Sequence, residues 1–352
     1  MRYYIFTLGC QMNESDSQKI ASVLNSCGLK ATSEKEADLI IINACSVRQS
    51  AVDRIYGKLR RWQSAGGRKK VFITGCVLPK DKEKLSKKIE KIFPITDLNK
   101  LPLFLAQIYD KNFYSSKNRR MCSKNNSSLV PIISGCDNFC TYCAVPYTRG
   151  REASRPEKEI ICEFESLVKH GAKEITLLGQ NVNTYKPSFV ELLKKIIKIP
   201  GDFKIKFLTS NPWDFPKKLI DLIAKEPKLS KEIHLPVQSG DDEILRRMNR
   251  PYASSEYLKL INDLRFKIYD LRLSTDIIVG FPGETKKAFE STVVLCKKAK
   301  FDKAYISQYS PRPGTAAAKL KDDIPRPEKK RRWKILNDLI NKKEAILASI
   351  VL

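Results

Sequence analysis

Along almost its whole length the chain alternates short apolar runs with stretches of helical period. "RYYIFTLG", "DLIIINA" and "KKVFITG" read as strands. Helical patterns follow them, over roughly 14–27, in "VRQSAVDRIYGKLRRW" and in "KDKEKLSKKIEKIF". This alternation constrains the fold strongly, because each helix returns the chain to the same end of the sheet and the strands must run parallel. Residues 1–115 are therefore expected to form an N-terminal doubly wound parallel-sheet domain. The polar stretch 116–128 reads as a linker. Alternation resumes over 129–325, with strands "LVPIIS", "EITLLG", "FKIKFLTS", "EIHLPV", "LSTDIIVG" and "KAYISQYS". Six β/α units predict an open partial barrel, a shortened form of the eight-unit barrel. Residues 326–352 read as a basic C-terminal helix. The class is α/β, and no repeat of solenoid period is present.

The cysteines are placed with respect to these strands. Cys10 follows "YYIFTLG", Cys45 follows "LIIINA" and Cys76 follows "VFITG". Each stands just past the carboxyl end of an expected strand, and in a parallel sheet those ends share the edge where ligands bind. The three thiols are thus expected to converge. A second trio, Cys136, Cys140 and Cys143, forms a C-x3-C-x2-C run in "SGCDNFCTYCAVPYTRGREASRP", just after the first barrel strand. Its spacing cannot bring all three to one side of a helix and suits a loop wrapped around a cluster. Thiolates favour iron–sulfur or zinc. Each trio leaves one coordination position open, where a substrate or cofactor can bind. Cys27, Cys162 and Cys296 read as core or helix residues, and Cys122 as inert.

Lys and Arg number 65 against 39 Asp and Glu, a formal net charge of +26. Such a field favours a polyanionic partner, nucleic acid first. No run approaches the roughly 18 apolar residues of a membrane span. The N-terminal "MRYYIFTLGCQMNESD" lacks the long apolar core of an export signal, so a cytoplasmic, reducing setting is expected. There, clustered cysteines mean metal or catalysis more often than disulfides. Only two histidines, His170 and His234, are present, which leaves little material for imidazole acid–base chemistry.

The second trio, with Tyr142 before its last cysteine, resembles the signature of the radical S-adenosylmethionine (SAM) enzymes. "TLGCQMNESDS", "LLGQNVNTY", "LPVQSGDDEILRRMNRPY", "DIIVGFPGET" and "YSPRPGTAAA" stand around it in an order similar to that of the methylthiotransferase family. The resemblance runs from about residue 3 to residue 320. It implies an auxiliary [4Fe–4S] cluster on Cys10, Cys45 and Cys76, and a radical SAM [4Fe–4S] cluster on Cys136, Cys140 and Cys143. It implies that SAM chelates the open iron and that its reductive cleavage yields a 5′-deoxyadenosyl radical. One SAM methylates the sulfur and a second makes the radical, so that a hydrogen of N(6)-isopentenyl-adenosine in the tRNA anticodon stem-loop gives way to a methylthio group. An electron donor such as flavodoxin or ferredoxin is implied; the sulfur donor is not. Family members usually carry a C-terminal RNA-gripping TRAM barrel, which is expected to be absent here.

Other residues follow from strand-end position. Gln180 and Asn181 end the second barrel strand and are expected to turn their amides toward SAM, as are Gln238 and Ser239 after the fourth. Gly280 and Gly283, after the fifth, would admit a ligand close to the backbone. Tyr142 is placed with the cofactor. Arg149, Arg151 and Arg155 follow the cluster loop and are expected to contact RNA phosphate, with ion pairs to Glu152 or Glu157 as the competing reading. Competing functions are a methylthiotransferase acting on threonylcarbamoyl-adenosine of tRNA or on a ribosomal protein, and a non-enzymatic iron–sulfur or zinc protein that binds RNA.

Overall fold

The structure, a computed structural model, describes residues 1–46, 49–64, 69–109 and 128–342. Cys122, all of the linker but Ser128, and the last ten residues of the expected C-terminal helix lie outside the described residues. The chain forms two compact units that do not part at one point in the sequence. The first contains Met1–Pro131, Ala144–Arg151 and Lys158–Ala172, and the second contains Ile132–Cys143, Glu152–Glu157 and Lys173–Leu352.

The first unit begins with β1 (Arg2–Thr7), α1 (Gln11–Ser26), β2 (Lys30–Ala31) and β3 (Leu39–Cys45). It continues with α2 (Gln49–Ser64), β4 (Lys70–Cys76), α3 (Pro79–Ser86), β5 (Lys91–Ile92) and α4 (Leu101–Tyr109). All five strands are parallel, in the order β2-β1-β3-β4-β5. The order reverses between β1 and β3, the place where doubly wound sheets take ligands. The central strand β3, "LIIINAC", is buried throughout. Ile40, Ile42 and Ala44 face one core with Ile55, Leu59 and Trp62 of α2. Leu39 and Ile41 face another with Ile20 and Leu24 of α1 and Leu101 and Leu105 of α4. Each such fully buried aliphatic side chain contributes about 2 kcal/mol. Helix α2 forms because Val52, Ile55, Leu59 and Trp62 recur at helical spacing on one face.

Next come β6 (Leu129–Pro131), β7 (Ile133–Ser134), α5 (Val145–Arg149), β8 (Ala153–Ser154) and α6 (Glu157–Lys169). The second unit then alternates β9 (Glu174–Leu178), α7 (Phe189–Ile197), β10 (Lys204–Phe207), α8 (Lys217–Lys225) and β11 (Glu232–His234). It ends with α9 (Asp242–Arg247), α10 (Ser254–Lys267), β12 (Arg272–Val279), α11 (Lys286–Ala299), β13 (Lys303–Gln308) and α12 (Arg326–Ile340). Neighbours in sequence are neighbours in space. The Ile132 amide donates to the Leu178 carbonyl at 2.9 Å. Strands β9 and β10 pair in parallel, as do β11, β12 and β13. Between these sets, the Ser210 amide donates to the His234 carbonyl at 3.3 Å. This is the expected open partial barrel. Along β12 burial alternates, with Leu273, Thr275, Ile277 and Val279 inside. No helix among the described residues is long and apolar enough to cross a membrane.

Candidate functional site

The carboxyl edge of the first sheet gathers the first cysteine trio. Cys45 and Cys76 end β3 and β4 and stand opposite each other in register. Cys10 precedes α1 as its N-cap, where helix amides and dipole favour negative charge. Gly9 lies so close to Cys45 that a β-carbon there would meet Cys45 Cβ at 2.9 Å and Sγ at 3.1 Å. Burial pushes the Cys76 thiol up; the Arg149 guanidinium opposes this, and the charges of Cys45 and Cys10 add to it. Three thiol-bearing residues from three distant segments therefore share one strand-end crevice, with Cys10 exposed and the other two buried.

The second trio lies in a loop of the second unit, entered through Gly135 at φ 78°. Elements from far along the chain fix this loop. Thr141 donates from its amide to the Met248 carbonyl at 3.1 Å and from its hydroxyl to the Arg247 carbonyl at 2.8 Å. Asn249 Nδ2 donates to the Asn138 carbonyl at 2.9 Å. Asn181 Nδ2 donates to Cys136 Sγ at 3.1 Å, and Arg250 Nη1 reaches Cys140 Sγ at 3.7 Å. Burial pushes the Cys136 thiol up, while the Asn138 amide and Asn181 oppose it.

Both donor sets fit an iron–sulfur cluster: three thiols each, with N–H donors aimed at sulfur. Among the described residues no three His, Cys, Asp or Glu side chains close around a single-ion position. A four-iron cubane is larger than one ion and holds its cysteines further apart. Among the described residues, Gln180 Oε1 and Gln238 Oε1 are buried without a hydrogen-bond partner, and a buried carbonyl left unpaired is costly unless a ligand meets it. Gln238 holds a left-handed backbone at φ 68° while its amide donates to the Asp276 carbonyl at 2.8 Å.

Several sequence expectations need correction. Asn181 turns to a cysteine sulfur rather than presenting a spare amide. Ser239 is fully buried, its hydroxyl within 3.4 Å of Thr292 on α11. The space beside Gly280 and Gly283 is taken by this chain's own Lys329 and Arg247: β-carbons would stand 2.4 Å from Lys329 Cγ and 1.9 Å from Arg247 Nη1. Arg149 is not available to phosphate. Its side chain is 4 % exposed, and it bonds Asp16, Asn13 and Cys76. Arg151 is exposed and Arg155 partly so. Tyr142 packs beside a core of Ile244, Met248 and Phe281, with burial and the neighbouring Cys140 pushing its phenol well up.

Sequence reasoning did not single out Asn13 or Arg250. Both lie in quoted motifs, but only their partners mark them. Arg250 is 7 % exposed and rests over the rings of Trp213 and Tyr252, at 4.6 and 5.4 Å. Beyond the loops after β9 and β10, a cavity of about 620 Å³ is lined by Glu152, Asn183, Tyr185, Trp213, Asp214 and Phe215.

Residues 130–296 match the family described as the Radical SAM superfamily, and residues 2–95 match the uncharacterized protein family UPF0004. A protein of Thermotoga petrophila named tRNA-2-methylthio-N(6)-dimethylallyladenosine synthase is 42 % identical, covering 97 % of this chain and 83 % of its own. A protein of the same name from Fervidobacterium nodosum is 42 % identical, covering 96 % and 83 %. Among solved structures, the apo cobalamin-dependent SAM radical enzyme OxsB aligns with a TM-score of 0.59 at 11 % identity. That alignment covers 96 % of this chain but only 55 % of OxsB. The radical SAM methyltransferase TsrM of Kitasatospora setae aligns at 0.57 and 12 % identity, covering 90 % and 77 %. At such identities these two structures speak for the fold alone.

Proposed function

The chain belongs to the methylthiotransferase family of radical SAM enzymes, and from that membership we propose that it places a methylthio group on N(6)-isopentenyl-adenosine of tRNA. The observation that carries this reading is the sorting of six cysteines into two trios, each at strand carboxyl ends and each met by N–H donors. When bound, a reduced [4Fe–4S] cluster with SAM supplies a carbon radical able to remove an unactivated hydrogen, and the second cluster supplies the sulfur.

The protein's part is to hold and orient. Cys136, Cys140 and Cys143 would hold one cluster, in a loop that Thr141 and Asn249 tie to the segment around Arg247. Asn181 donates toward the Cys136 sulfur and Arg250 toward the Cys140 sulfur, so each of these two sulfurs meets an N–H group of this chain. The buried oxygens of Gln180 and Gln238 would serve as acceptors for SAM. Cys10, Cys45 and Cys76 would hold the other cluster. The base to be modified must be unpaired to reach the site, as in an anticodon loop. The 620 Å³ cavity suits such a base, with Trp213 and Phe215 to stack on it and Glu152 and Asp214 as acceptors. Exposed Arg151 contacts phosphate. Flavodoxin or ferredoxin delivers the electron, and work on tRNA sets the protein in the cytoplasm.

The test is anaerobic reconstitution, which should load about eight irons per chain, four for each cubane. Replacing Cys136, Cys140 and Cys143 together by Ala should abolish release of 5′-deoxyadenosine. Cys45→Ala should keep that release and stop methylthio insertion into tRNA, read by mass spectrometry of its nucleosides. Methylthio product from Cys45→Ala would remove the first trio from the reaction.

A further inference from the structure

The best-built polar cluster outside the thiols lies within the first unit, around Arg149, the last residue of α5. Its Nε donates to Cys76 Sγ at 3.1 Å. Its Nη2 donates to Asn13 Oδ1 at 2.7 Å and to Asp16 Oδ2 at 2.9 Å. Arg149 and Asp16 side chains are 4 % and 7 % exposed, and Asn13 is 1 % exposed. A buried cation needs a compensating anion, and Asp16 supplies it.

Asn13 carries the arrangement further. Its Nδ2 donates to the Leu8 carbonyl at 2.6 Å and to the Ala44 carbonyl at 2.8 Å. Leu8 stands two residues before Cys10, and Ala44 immediately before Cys45. One network thus grips the backbone beside two cysteines and the sulfur of the third. With both Asn13 donors spent on carbonyls, its oxygen is left facing the guanidinium. A surface arginine that merely tied helices together would need neither the burial nor the sulfur contact.

We propose that Arg149 is a positioning residue for the cluster on Cys10, Cys45 and Cys76, and that its N–H···S bond to Cys76, balanced by the Asp16 carboxylate, sets that cluster's reduction potential. This rests on the cluster reading given above. Donors to cluster sulfur and nearby charge are levers on such potentials. A donor or a positive charge favours the reduced, more negative state; a carboxylate disfavours it.

The two partners must therefore act in opposite directions. The test uses the full chain with Cys136, Cys140 and Cys143 replaced by Ala, so that only the first trio binds iron. About four irons per chain are expected, and the cluster's midpoint potential is read by an EPR-monitored redox titration. Arg149→Gln should lower the reduced-to-oxidised ratio at fixed poise about tenfold, which is about 59 mV for a one-electron couple. Arg149→Lys, which gives up the planar fork, should shift it the same way and serves if the Gln variant does not fold. Asp16→Asn, which keeps an acceptor and removes the charge, should raise the ratio. A merely structural pair would move both variants together or leave the potential unchanged, and either result overturns the proposal. A parent variant that binds no iron overturns the cluster reading itself, and the proposal with it.

Discussion

Gly75 precedes Cys76 with φ at 88°, and a β-carbon there would lie 2.4 Å from Asn43 Oδ1 and 2.6 Å from the Ala44 carbonyl oxygen. Backbone cannot withdraw as a flexible side chain can. Gly75→Ala should therefore cost about 2 kcal/mol in urea unfolding and reduce iron bound by the first trio. A variant that unfolds at the parental urea concentration would show the crevice to be slack. At this scale the meeting of Cys10, Cys45 and Cys76 at one sheet edge was legible because it obeys a rule of topology: strand ends in a parallel sheet converge. The arginines and glycines were not. Arg149 sits beside Glu152 in sequence, yet its partners Asn13 and Asp16 arrive from a helix more than 130 residues earlier. Gly280 and Gly283 signalled close approach, but nothing local said that Lys329 and Arg247 make it.

Helix α12 illustrates the element scale. It reads as a plain basic helix, but its charges are used inward. Arg332 bonds the buried Glu284 carboxylate at 2.7 Å, and Lys329 bonds Asp322. Glu328 accepts from Arg331 and then Arg332, which hold its carboxyl down at about 2 against an ordinary 4.5. A depressed carboxyl contributes stability that is complete above pH 4.5 and lost as pH falls toward 2. Across that window the melting temperature should fall further for the parent than for Glu328→Gln. Parallel curves would mean the three charges are solvated and idle. Long strands and helices were legible from period alone. The two-residue strands β2, β5 and β8 and the five-residue α5 are too short to carry one, and α1 begins at Gln11, ahead of the expected 14.

For the whole molecule, a net charge of +26 ties tRNA affinity to salt. Each phosphate neutralised in a single-stranded loop contributes a slope of about −0.7 in log affinity against log salt. Arg151→Ala should flatten that slope by about one contact in a salt titration of tRNA binding. Affinity that ignores salt would mean that stacking or shape governs recognition. Alternation in the sequence stops and restarts around 116–128, whereas the membership of the two units depends on packing that no local pattern encodes. The chain passes between its units five times, at 131, 143, 151, 157 and 172. Recombination at any single breakpoint therefore cannot exchange one unit for a relative's. A crossover after residue 131 would inherit Asp16 from one parent and Arg149 from the other, dividing a bonded pair of the first unit between two ancestries.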